Sequence, residues 1–110
     1  MRESHTAVVE RNVEWANSFA TEPYEVSWAT EALFFVRLLD AQGLDASIPL
    51  HVQISPDGMH WCDEGTTFSL YPAADLSWCR VSHFGGWLRL RGELAAGQSV
   101  RVIAYLHLKE

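Results

Sequence analysis

The sequence predicts an all-β fold, an antiparallel β-sandwich of about eight strands. Three observations carry the prediction. Ile48, Leu50, Val52 and Ile54 alternate with Pro49, His51 and Gln53, which puts four branched apolar side chains on one face of a strand. Ser55-Pro56-Asp57-Gly58 follows, and it has turn chemistry throughout: Pro presets φ, Asp tolerates a tight turn and Gly accepts positive φ. The aromatic return through Trp61 makes this a hairpin. At the other end of the chain, Val100, Val102, Ala104, Leu106 and Leu108 alternate with Arg101, Ile103, Tyr105 and His107, again with a period of two.

Along the chain, Thr6 to Trp15 reads as a first strand, with Val9, Arg11, Val13 and Trp15 on one side and Glu10, Asn12 and Glu14 on the other. Ala16-Asn17-Ser18 breaks that pattern. Pro23 opens a second strand in which Tyr24, Val26 and Trp28 alternate with Glu25 and Ser27. Leu33 to Asp40 is apolar on both faces around a single Arg37. A strand covered on both sides or a short helix fits, and the Phe34-Phe35-Val36 run favours the strand. Ala41 to Ser47 reads as a loop. After the hairpin, Asp63-Glu64-Gly65 reads as a turn and Thr66 to Leu70 as a short strand. Tyr71 to Asp75 is a loop, and Leu76, Trp78 and Arg80 alternate with Ser77, Cys79 and Val81 in the next strand. His83-Phe84-Gly85-Gly86 turns the chain into Trp87–Leu94, with Leu88 and Leu90 inward and Arg89 and Arg91 outward. Ala95-Ala96-Gly97-Gln98 leads into the last strand, Ser99 to Lys109. Evenly spaced strands with turn signals between them indicate a sandwich or barrel.

At 110 residues one domain is expected, spanning 1–110, and a chain that closes on a strand reads as a complete one. With 48% hydrophobic residues the chain has enough apolar side chains for a core. The expected core is Trp15, Val36, Leu50, Val52, Ile54, Leu88, Leu90, Val102, Ala104 and Leu106. Five Trp, three Tyr and five Phe are more aromatic bulk than one thin layer hides, so some should mark contact surfaces. A net charge of −6 argues against nucleic acid or an anionic membrane as partner. The polar start Met1-Arg2-Glu3-Ser4-His5 lacks an apolar signal region, and no apolar run approaches the length of a membrane span. The default compartment is the cytoplasm or a particle assembled there. Cys62 and Cys79 are then expected as buried free thiols, with a disulfide between neighbouring strands left open.

The residues carry no catalytic signature, and no cofactor is expected. His5, His51, His60, His83 and His107 never occur at metal-ligand spacing. Asp57, Asp63 and Glu64 flank the hairpin end, where a calcium site is conceivable, but turn chemistry and solvation explain them. None of the serines lies in a Gly-x-Ser-x-Gly motif. What remains is contact surface. Trp61, Tyr71, Phe84 and Trp87 are candidates for stacking on sugar rings or anchoring a partner, although for Trp61 and Trp78 the sandwich interior is the preferred place. Ile103 and Tyr105 oppose the core face of the last strand. Burying one set exposes the other unless a second layer covers it.

The string Ile54-Ser55-Pro56-Asp57-Gly58-Met59-His60-Trp61 resembles the Ser-x-Asp-Gly-x-x-Trp hairpin of discoidin-like (coagulation factor 5/8 type C) domains, and Trp87-Leu88-Arg89-Leu90-Arg91 resembles a strand near their end. The match covers about a fifth of the chain. It implies a jelly-roll sandwich and, in that family, binding of sugars or lipid headgroups; no binding residue is carried over. The architecture is also similar to that of small jelly-roll structural proteins of phage or bacterial shells. The sequence therefore points to a non-enzymatic structural protein that packs its sheets on copies of itself as a trimer or larger particle. The alternative is a carbohydrate-binding module. A cupin-type enzyme is a weaker third possibility, since the clustered His and Glu ligands it needs are not visible.

Overall fold

Alternating apolar side chains give strands with two unlike faces, and such strands are stable only when sheets stack. A computed structural model describes residues 3–110; Met1 and Arg2 of the polar N-terminal stretch lie outside them. The strands are β1 (Ser4–Ala16), β2 (Ser18–Ala20), β3 (Tyr24–Glu25), β4 (Glu31–Gln42), β5 (Ile48–Ser55), β6 (Cys62–Leu70), β7 (Leu76–Ser82), β8 (Trp87–Glu93) and β9 (Ser99–Lys109). The first sheet has the order β1-β9-β4-β7 and the second β2-β8-β5-β6, with β3 also beside β8. All ladders are antiparallel. If β2 and β3 are taken as two pieces of one strand position along β8, the order is that of an eight-stranded jelly roll. Among the described residues no helix is long and apolar enough to cross a membrane.

The core lies between the sheets. Trp15, Val36, Leu50, Val52, Leu88, Leu90, Val102, Ala104 and Leu106 are buried as expected, together with Phe34, Leu70, Val100 and Leu108. Ile54 is only half-buried but packs against them. The doubly apolar segment is indeed a strand. Ala32, Phe34 and Val36 of β4 face inward, while Leu33, Phe35 and Arg37 face out.

Several expected boundaries move. The second strand is only Tyr24–Glu25, because the Val26 N–H bonds to the Gly86 carbonyl at 2.7 Å and the chain then turns. The break at Ala16-Asn17-Ser18 is where the chain crosses from one sheet to the other. Asn17 adopts φ 57°, which asparagine tolerates, and the chain passes directly into β2. The regular alternation expected for β1 fails at two register shifts, with Asn12 at φ 52°, so Arg11 is exposed while Trp15 is buried. Ala41 and Gln42 extend β4 rather than starting a loop. Asp63-Glu64-Gly65 is a bulge inside a continuous β6, not a turn: Gly65 has φ 114° and the ladder jumps between the pairs His51↔Thr67 and Gln53↔Asp63. A turn and a bulge both use glycine at positive φ, so composition alone does not separate them.

Candidate functional site

The two outer faces differ in chemistry. On the second sheet the outward residues form a polar network. Arg91 makes a bidentate pair with Asp63, Nε to Oδ1 at 2.9 Å and Nη2 to Oδ2 at 2.7 Å. Gln53 Nε2 donates to Asp63 Oδ1 at 3.0 Å and its Oε1 accepts from Arg89 Nε at 2.7 Å. Hydrogen bonds from Arg91 first, and from Gln53, hold the Asp63 carboxyl well below the usual carboxylate range. The Arg89 guanidinium lies 4.3 Å from the centre of the Trp61 ring, a cation–π contact. Trp61 is therefore half-buried beneath an arginine and sits on this outer face, outside the sandwich interior where the sequence preferred to place it. Trp87 is also half-buried, seated over Gly58, where an added Cβ would come within 3.2 Å of the indole. Both tryptophans support the hairpin end.

That end is held locally. The Gly58 N–H donates to Ser55 Oγ at 2.8 Å, and Asp57 Oδ1 accepts from the backbone N–H groups of Met59 and His60, each at 2.9 Å. The His60 backbone bond is the main cause of the strongly lowered Asp57 pKa. Glu64 accepts from the Thr66 N–H at 2.9 Å. The three carboxylates suggested for calcium are thus engaged with different partners, and among the described residues no group of three His, Cys, Asp or Glu side chains could hold a metal ion.

On the first sheet the outer face carries an apolar row flanked by rows that include Arg37, Arg80 and His107. The ladders set Val8 opposite Tyr105, Tyr105 opposite Phe35, and Phe35 opposite Trp78. Directly opposed residues share a face, so an unbroken apolar row crosses all four strands. Ile103, Arg37 and Leu76 form a parallel row, and His107, Leu33 and Arg80 another. Val8 is 40% exposed, Leu76 49% and Trp78 48%. Charges of both signs pair on and beside the face, Arg37 within it near Asp75 and Arg101 near Glu14, each 3.8 Å apart.

Of the residues singled out from sequence, Ile103 and Tyr105 are brought together in this face, both half-buried. Tyr71, 53% exposed, lies at its margin, where with Phe68, Leu76 and Trp78 it lines a shallow groove of 320 Å³ between the β6 and β7 edges. Phe84 does not join them; it is half-buried and packs against the core. Trp78 was expected inside and stands outside instead, because Ser77, Cys79 and Val81 take the inward positions of β7. Leu33 and Phe35 belong to the segment read as apolar on both faces, and they form its outward set. Val8 and Leu76 were not singled out, because their signal was present only as alternation on strands whose neighbours were unknown. Cys79 is buried and Cys62 exposed, both as free thiols, so the expectation that both are buried holds only for Cys79. Cys62 opens an edge strand just past the hairpin turn.

Compared with protein-family models and with curated proteins, the sequence matches none.

Proposed function

We propose that the chain is a non-enzymatic structural protein that self-associates through the outer face of its first sheet. The observation that carries this reading is the apolar row Val8, Tyr105, Phe35 and Trp78, spanning the sheet from edge to edge. Large contiguous apolar patches on monomers are uncommon and mark contact sites. Four strands about 4.8 Å apart, roughly ten residues long at about 3.4 Å each, present about 650 Å² of flat face. Specific interfaces bury about 600–1,000 Å² of accessible surface per partner, so a face of this size falls near the lower end of that range. The acidic partners Asp75 and Glu14 beside Arg37 and Arg101 give the face charges of both signs for a self-complementary contact. One such two-fold contact closes a symmetric dimer, and a trimer or larger particle, of the sort built by jelly-roll shell proteins, needs a second contact surface beside it.

The test is sedimentation of wild type against Val8→Glu and Tyr105→Glu. Both substitutions should lower the mass of the larger species toward the 12.4 kDa of one chain with the strand content unchanged. An unchanged mass in both variants overturns the reading.

A second reading, a carbohydrate-binding module, is favoured by one observation: Tyr71 and Trp78, both about half exposed, line one groove. Aromatic side chains with a bare face can stack on sugar rings. Tryptophan fluorescence titrated across a broad glycan panel should then shift for some glycan, and the shift should vanish in Trp78→Ala. A flat response removes this reading.

A further inference from the structure

An open sheet edge invites pairing, and proteins blunt their edges with bulges, short strands, prolines and charges. Three strand positions here are blunted. β1 has two register shifts and a positive φ at Asn12. β2 and β3 are three and two residues long. β6 carries the Gly65 bulge. β7 carries one charge, Arg80, and none of the other devices. Its pairing with β4 runs from Glu31↔Ser82 to Arg37↔Leu76 without a shift, and Leu76–Ser82 holds no Pro, Lys, Asp or Glu. Among the described residues no backbone hydrogen bond joins residues 76–82 to anything but β4.

We infer that β7 is a second self-association element, pairing antiparallel with β7 of another copy about a two-fold axis so that two first sheets join into one. It rests on the self-association reading for the identity of the partner, but uses a different surface. The register that pairs all seven residues centres on Cys79. It sets Leu76 against Ser82 of the partner subunit and Trp78 against Arg80 of the partner subunit, twice over. Within one chain the Arg80 guanidinium already lies 5.3 Å from the Trp78 ring centre, so the two side chains suit each other as a cation–π pair. A face contact and an edge contact, each two-fold, together build a closed tetramer or an open array.

The experiment uses full-length chain carrying Cys62→Ser and Cys79→Ala, which removes both native thiols, Cys79 because the stated register sets it against its own copy. Leu76→Cys and Ser82→Cys are made separately in that background. In the stated register position 76 faces 82 and neither faces its own copy. Directly opposed Cα atoms lie about 4.5–5.5 Å apart, within disulfide range. Under mild oxidation the mixture should form at least ten-fold more covalent dimer than either variant alone. Equal yields in mixture and single variants overturn the inference. As a measurement independent of these substitutions, backbone amides of residues 76–82 in wild type should gain hydrogen-exchange protection as protein concentration rises; constant exchange overturns it too. A missing cross-link with wild-type mass still above one chain removes the edge and leaves the face. A cross-link that forms while Tyr105→Glu leaves the mass unchanged removes the face and leaves the edge.

Discussion

Phe35 lies opposite Trp78 across the β4–β7 ladder, and both point away from the core. An aromatic pair on the outer face of an edge strand contributes little to the monomer, because the solvent side is uncovered. Trp78→Lys should therefore change the unfolding free energy of the dilute chain by no more than about 0.5 kcal/mol, as for ordinary surface substitutions. The same change should lower the assembled mass at high concentration. Urea unfolding of dilute protein and light scattering of concentrated protein read the two effects separately.

Gly92 behaves in the opposite way, as a buried position where size is decisive. It is buried on β8 opposite Phe19, and an added Cβ would lie 2.6 Å from Phe19 Cζ and 3.2 Å from Leu50 Cδ2. The Phe19 ring is itself stacked on Trp15, centroids 4.3 Å apart, so it has little room to yield. Gly92→Ala should cost about 1–3 kcal/mol through overpacking. Combined with Phe19→Leu the two costs should be clearly non-additive, as read from urea midpoints.

The Arg91–Asp63 pair makes stability depend on acid. Hydrogen bonds from Arg91, then from Gln53, lower the folded pKa of Asp63 below its ordinary value. A depressed carboxyl pKa stabilises the fold fully above the unfolded value, about 3.9, and that contribution is lost as pH falls through the folded value. Wild type should thus weaken progressively below about pH 4. Asp63→Asn should be less stable at pH 7 and show a flatter dependence below about pH 4, with the Asp57 contribution remaining. Thermal unfolding over an acid series checks this; parallel curves for the two proteins would contradict it.

The two thiols should react very differently. Burial pushes the Cys79 thiol up to about 12, while Cys62 is exposed. A thiol-specific reagent at pH 8 should label Cys62 quickly in the native protein and Cys79 only on unfolding. Mass spectrometry of the labelled peptides identifies each site, and fast native labelling at Cys79 would contradict the placement of β7.

The strands with strict alternation were legible residue by residue. In β9 Val100, Val102, Ala104, Leu106 and Leu108, and in β5 Ile48, Leu50, Val52 and Ile54, face the interior as the period of two requires, because both strands are central and covered on one side by the other sheet. The edges were less legible. In β1 and β6, bulges shift the parity, and a bulge has the same Gly or Asn chemistry as a turn. The outer apolar face was half legible. Ile103 and Tyr105 showed it on one strand. The row that includes Val8, Phe35 and Trp78 depends on which strands are neighbours, and local alternation does not encode neighbour identity. For Trp78 the preferred interior placement failed for a physical reason: Ser77, Cys79 and Val81 are small enough for the crowded inward side of β7 next to β4, which leaves the bulky alternates outside.

Native mass at micromolar concentration tests the central claim most directly. Light scattering of the untreated wild-type chain should give a particle well above the 12.4 kDa of a single copy, falling toward that value on dilution. A concentration-independent mass of one chain would contradict it.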